Sequence, residues 1–400
     1  MPRASLPALA ACLALISGCG ARGALDAGGD VSTSAPTPPP CAAWQPAGPI
    51  ATVSEPVADG ATSYLMSVIP SADGALLAWL TLGDAPMSSW RTVALDFDAA
   101  PRVPITTHLS FPTENGGSPI DLATSGSAFA ALVSDSTIGR LLLPLDENGS
   151  EIGPPVTIAF FALSCTHLAP TPDGFSFIGS DTHAMAPFRL VDLDAKGSVL
   201  SVTPLPTPSG SLEDGWRTLH DRSFLLATTD EHGVATSAQH VSPSGAPLSA
   251  ATEIAAGGPF EMPITETSAG VLAAWSDSLT DVGSIHVRLL DEHGSPLAAA
   301  ARVVEGDGGV IALADALAAT PTGDALLVYR VLDDTTRLHA LALGPDGAPR
   351  GAPTLLGSFA LLGATRAVVS PDGRRALLVA AGAEQGAPER VLALPLACVP

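Results

Sequence analysis

A chain of 400 residues, 46% hydrophobic but only 4% aromatic, can build a large core, and it must pack that core mainly with Leu, Ala and Val. Its 40 acidic residues against 18 basic ones give a net charge of −22. That balance argues against nucleic acid as a partner, because phosphates need a basic face, and against adhesion to anionic lipid through charge.

The chain opens with Met1-Pro2-Arg3, a positive start, followed by the apolar run Leu6–Ser17, which is too short to span a bilayer. The run ends in Ile16-Ser17-Gly18-Cys19. This tetrapeptide resembles the lipobox of bacterial lipoproteins, in which an aliphatic and two small residues precede a lipidated cysteine. The resemblance implies that 1–18 is a signal peptide, that Cys19 carries the lipid, and that the acyl chains anchor the protein. Gly20, where such lipoproteins retained at the inner membrane carry Asp, implies the outer membrane or cell surface. The alternative is an ordinary secretory signal cut near Gly20–Ala24. Residues 19–40, rich in Gly, Ser and Pro, read as an unfolded tether with a polyproline end, leaving 41–400 as the globular domain.

Within that domain one shape recurs, a polar turn running into an apolar burst. It is seen at Ser71–Trp79, Ser125–Val133, Pro172–Ile178, Asp221–Thr228, Ala269–Trp275, Thr322–Tyr329 and Pro371–Val379. The anchors Gly74, Gly126, Gly174, Arg222, Gly270, Gly323 and Gly373 step by 48 to 53 residues. A second landmark, a polar turn closing in Gly149, Gly197, Gly245, Gly294 and Gly347, keeps the same period. Such turns between apolar runs are hairpin chemistry, with Gly supplying positive φ. Each unit divides into four strands, which predicts an all-β seven-bladed propeller. Tandem β-sandwiches would need clearer alternation and a period near 100 residues. Val310–Ala319 alone has the propensity of a helix, and the repeat overrides it. The stretches Ser370–Val379 and Thr171–Phe175 resemble the repeat of TolB-type and WD40-like propellers, although the dipeptides of true WD40 repeats are absent.

The last unit, ending in Arg390–Leu396, is one strand short, and the segment after Cys41 reads as a spare outer strand. The N-terminal strand is therefore predicted to complete the last blade. Aligning Gly48 on Gly153 brings Cys41 and Cys398 to the same broken turn, which predicts a disulfide between them. Two free thiols are the alternative. Cys165 stays unpaired, as a small apolar residue.

No metal-ligand spacing, nucleophile elbow, P-loop or dinucleotide fingerprint is present, so no metal, cofactor or catalytic residue is assigned. Asp121, Glu213, Asp214, Arg217, Glu261 and Arg366 fall on or beside inner-strand segments, at the predicted channel mouth, where they could bind a ligand or serve acid–base chemistry. The expected role is that of a monomeric, tethered binding or scaffold module for an envelope protein or polymer. The rival is an extracytoplasmic glycan hydrolase or lyase, which needs carboxylates converging at that mouth.

Overall fold

Seven four-stranded antiparallel sheets form the blades of a β-propeller, and among the described residues there is no helix. The structure is a computed structural model. It describes residues 39–54, 62–82, 87–112, 118–125, 128–135, 139–158, 168–171, 173–180, 188–205, 210–211, 216–219, 223–230, 235–256, 262–276, 283–305, 310–383 and 389–400. The lipobox, Cys19 and Cys165 lie outside them.

Two short strands come first, β1 (Ala43–Pro46) and β2 (Ala51–Thr52). Blade 1 is β3 (Thr62–Ser71), β4 (Gly74–Leu82), β5 (Met87–Asp96) and β6 (Thr106–Pro112). Blade 2 is β7 (Ser118–Ser125), β8 (Ala128–Asp135), β9 (Gly139–Leu145) and β10 (Val156–Ile158). Blade 3 is β11 (Leu168–Thr171), β12 (Gly174–Ser180), β13 (Phe188–Asp194) and β14 (Val199–Pro204). In blade 4, β15 (Gly210–Ser211) and β16 (Trp216–Thr218) share the inner position, followed by β17 (Phe224–Asp230), β18 (Ala235–Val241) and β19 (Thr252–Ala256). Blade 5 is β20 (Ile264–Thr267), β21 (Gly270–Ser276), β22 (Ile285–Leu290) and β23 (Ala301–Val304). Blade 6 is β24 (Ile311–Ala319), β25 (Ala325–Leu332), β26 (Thr336–Leu343) and β27 (Thr354–Phe359). Blade 7 supplies β28 (Leu361–Val369), β29 (Arg375–Ala383) and β30 (Arg390–Val399).

The apolar bursts are the second strands, and their lack of alternation has a direct cause. In β4, Ala75, Leu77 and Trp79 pack with Val368, Leu377 and Val391 of blade 7. The intervening Leu76 and Ala78 pack with Leu122, Phe129 and Leu143 of blade 2. Both faces of a blade are core, so both parities must be apolar. Trp79 and Trp275 are buried packing residues, as their equivalent repeat positions implied. The helix-prone run Val310–Ala319 is inner strand β24, because seam contacts on both faces outweigh local propensity.

The glycine-closed turns join each third strand to the outer strand and hook onto the preceding blade. In blade 2 the Asp146 carboxylate accepts from the amides of Asn148 and Ser150, at 2.9 and 2.8 Å. Gly149 then takes φ 82°, and a Cβ there would stand 2.7 Å from Thr92 Oγ1 of blade 1. Glycine is required twice over, for conformation and for space. The outer strands of blades 1, 3, 4, 5 and 6 meet their neighbours with a shift of register. Such bulges twist an exposed edge away from further pairing.

Closure follows the sequence expectation. Strands β1 and β2 pair antiparallel with β30, Ala43 opposite Val399 and Thr52 opposite Leu392. The amides of Ala47 and Ile152 donate to the equivalent carbonyls of Pro395 and Pro144, which supports the alignment used to place the cysteines. Cys41 and Cys398 form a disulfide across 357 residues, with Cα atoms 5.3 Å apart.

Candidate functional site

The inner strands are sheet edges facing the central channel, so their backbone groups need partners. At several seams those partners are polar side chains from the preceding blade. The Ser67 hydroxyl of blade 1 accepts from Leu122 N of blade 2 at 3.2 Å. The Asp121 carboxylate of blade 2 accepts from Leu168 N of blade 3 at 2.6 Å. Ser276 and Thr265 of blade 5 accept from Ala314 N and Ala319 N of blade 6, at 2.9 and 3.2 Å.

This arrangement sets the place of the sequence-predicted site residues. Asp121 lies on β7 beside a register shift and also accepts the Ser67 hydroxyl at 2.8 Å. One carboxylate therefore joins the inner strands of blades 1, 2 and 3. Arg366 lies half-buried on inner strand β28, with Nη1 3.5 Å from Thr365 O. Arg217 occupies β16, opposite Leu225, also on an inner strand. Glu213, Asp214 and Glu261 lie outside the described residues. Inner-strand placement thus holds for Asp121, Arg217 and Arg366.

Sequence reasoning passed over the most strongly buried charges. Asp315 sits at a register shift in β24, enclosed by protein. Arg330 of β25 directs Nε at both its carboxylate oxygens, at 2.8 and 2.6 Å, and Nη1 at Leu362 O of blade 7, at 2.7 Å. Burial pushes the Asp315 carboxyl up to about 6, against the pull of Arg330 and, more weakly, Arg366. A small apolar cavity of about 10 Å³, room for one water, lies nearby between blades 6 and 7, lined by Leu338, Phe359, Leu362, Thr365 and Leu378. Asp315 escaped notice because it stands alone inside an Ala-Leu run.

A second polar cluster lies at the seam of blades 1 and 2. His108 Nε2 is 2.7 Å from Thr92 Oγ1, and its Nδ1 is 2.8 Å from Glu151 Oε1. Trp90 covers the ring, with centroids 4.2 Å apart. Burial holds the imidazole below its ordinary value, opposed by Glu151. The order hydroxyl–imidazole–carboxylate has the form of a catalytic triad, but Thr92 is wholly buried and its hydroxyl reaches Gly149 O at 3.0 Å. Its work is to clasp the blade 2 turn to blade 1. Among the described residues no three His, Cys, Asp or Glu side chains converge as a metal-binding group.

Solved structures share this ring. The chain is similar to a protein of unknown function from Dyadobacter fermentans, at 14% identity over 89% of this chain and 99% of that one, with a TM-score of 0.54. It is similar to the Cps50 (Swd1) β-propeller domain of Myceliophteria thermophila, at 14% identity over 87% and 99%, with a TM-score of 0.51. It is also similar to the WD40 domain of Toxoplasma gondii coronin, at 10% identity over 90% and 88%, with a TM-score of 0.53. No protein-family model and no curated protein sequence matches the chain. At such identities the likeness is one of fold, and the chain is a seven-bladed β-propeller with WD40-like structural neighbours.

Proposed function

We propose that this propeller is a lipid-anchored, extracytoplasmic binding or scaffold module that engages an envelope protein or polymer. The observation that carries this reading is the use of the inner-strand polar groups. Asp121 is held by hydrogen bonds from blades 1 and 3, and Asp315 holds Arg330, which donates to Leu362 O of blade 7, so both serve rigidity, and a rigid ring is what a docking platform needs. The Cys41–Cys398 disulfide supports an oxidising compartment, and the lipobox-like Ile16–Cys19 supports a membrane tether. The excess of acidic residues fits a soluble surface held off the lipid.

The test is crosslinking in cells of the lipidated chain beside a Cys19→Ala variant, with metabolic palmitate labelling of both. The expected result is labelling that depends on Cys19 and one recurrent crosslinked partner. Recovery of no partner, together with turnover of envelope glycans by the purified protein, overturns the binding reading in favour of a hydrolase or lyase.

A further inference from the structure

His240 and His293 stand one repeat apart in sequence but meet at the seam of blades 4 and 5. His240 lies near the end of β18 and is almost wholly buried, whereas the His293 side chain, in the glycine-closed turn of blade 5, is 54% exposed. Their Nδ1 atoms face one another at 3.2 Å. Ser249 fixes the pair from the backbone, its hydroxyl accepting from His240 N at 3.0 Å and donating to His293 O at 2.8 Å. The Asp291 carboxylate holds the His293 amide at 2.9 Å.

Each ring also has an outer partner on its other nitrogen. Ser223 Oγ is 2.5 Å from His240 Nε2, and Glu292 Oε1 is 3.7 Å from His293 Nε2. Metal-bound histidines are oriented as His240 is here, one nitrogen turned inward as ligand and the other held by a hydroxyl behind it, and Glu292 adds a negative charge near the His293 ring. Two imidazole nitrogens on one tetrahedral ion at ordinary bond lengths stand about 3.3 Å apart, close to the separation here.

We infer that His240 and His293 form an open two-histidine site for a late first-row divalent ion of the Zn²⁺ class. The two Nδ1 atoms are the protein ligands, and water fills the remaining positions on the exposed side of His293. Imidazole donors favour such ions over Mg²⁺ or Ca²⁺, which take oxygen. Without an ion, one hydrogen lies between the two Nδ1 atoms. Binding moves that hydrogen to His293 Nε2, on the side of Glu292, so two neutral imidazoles remain neutral and the protons balance. The site joins adjacent blades, so occupancy stabilises their seam. Spacing rules miss it because its ligands belong to different repeats.

The test is calorimetric titration of the purified full-length protein with ZnCl₂ at pH 7.5, beside MgCl₂. The expected result is one saturable equivalent of Zn²⁺ and no Mg²⁺ binding. His293→Ala is expected to weaken binding at least tenfold while melting normally without metal. His293→Asn, which suits the turn, is read in its place if the alanine variant fails to fold. Absence of Zn²⁺ binding by the wild type, or equal affinity in the His293 variant, overturns the site.

Discussion

The Asp315–Arg330 pair joins blades 6 and 7, and its two halves are expected to be unequal. Asp315→Asn removes the negative charge but keeps an acceptor oxygen for Arg330, and because burial already raises this carboxyl to about 6 the fold favours its neutral form, so the loss is expected to be about 1 kcal/mol or less. Arg330→Met strands a carboxylate instead, but a carboxylate has an exit that a guanidinium lacks. Its pKa is already raised to about 6 with Arg330 present, so without Arg330 it takes a proton at neutral pH. The remaining cost, about 2 kcal/mol at pH 7, is mainly the unpaired Leu362 carbonyl. The pH dependence follows. The folded pKa lies above the ordinary 3.8, so between about 4 and 6 the folded state binds more protons and this group's contribution falls as pH rises. In Arg330→Met that fall extends above pH 6, and in Asp315→Asn it is absent. Urea unfolding midpoints at pH 5, 6, 7 and 8 read all three chains. The Asp315→Leu/Arg330→Met double variant is expected to be more stable than Arg330→Met at pH 8, because no buried carboxyl is left over. The reasoning is refuted if Asp315→Asn costs more than about 3 kcal/mol or if Arg330→Met is the less costly variant at pH 7.

Other perturbations report on the remaining seams. Replacing both Cys41 and Cys398 by Ala frees a 357-residue loop in the unfolded state, which the chain-entropy relation values at about 6 kcal/mol, and denaturant unfolding against the oxidised wild type measures it. Gly149→Ala should lower stability by more than about 1 kcal/mol in a thermal melt, because a contact of 2.7 Å to Thr92 Oγ1 adds to the strain of placing a side chain at φ 82°. Asp121→Ala leaves the Leu168 amide without its acceptor and should cost about 1–3 kcal/mol, whereas Asp121→Asn keeps an acceptor oxygen and should cost less by the same assay. His108 is held below its ordinary 6.5 by burial, so its contribution is present above that value and lost as pH falls below it through the lower folded value; His108→Asn should flatten the melting temperature between pH 7 and 5.

The ring was legible because each repeat repeats its packing problem. A second strand with core on both faces must read as an apolar burst, and a turn that docks on its neighbour must end in glycine, so Leu76, Trp79 and Gly149 carry the period in plain sight. The terminal cysteines were legible because they fill the one turn that the chain ends break. The polar seams were not. Asp315 and Arg330 face each other across a hairpin, yet nothing in Val310–Ala319 tells a buried aspartate from a solvated one. Thr92, His108 and Glu151 come from two blades, and His240 and His293 from two others, so their meeting depends on how blades stack. Asp121 was singled out for the channel, and it does lie on an inner strand, but its hydrogen bonds to neighbouring strands appear only once three blades are assembled.

The closure of blade 7 also sets an order in time. Strand β1 is among the first parts of the domain to be synthesised, and β30, which it pairs with, is the last. Until β30 exists, Trp44 lacks the blade 7 half of the cluster that buries it, and six blades can assemble while the seventh waits for its outer strands. The ring therefore cannot lock from a nascent fragment, and long-range pairing of this kind is slow. A chain that lacks β30 lacks both Cys398 and the pairing partners of β1, so its seventh blade stays open.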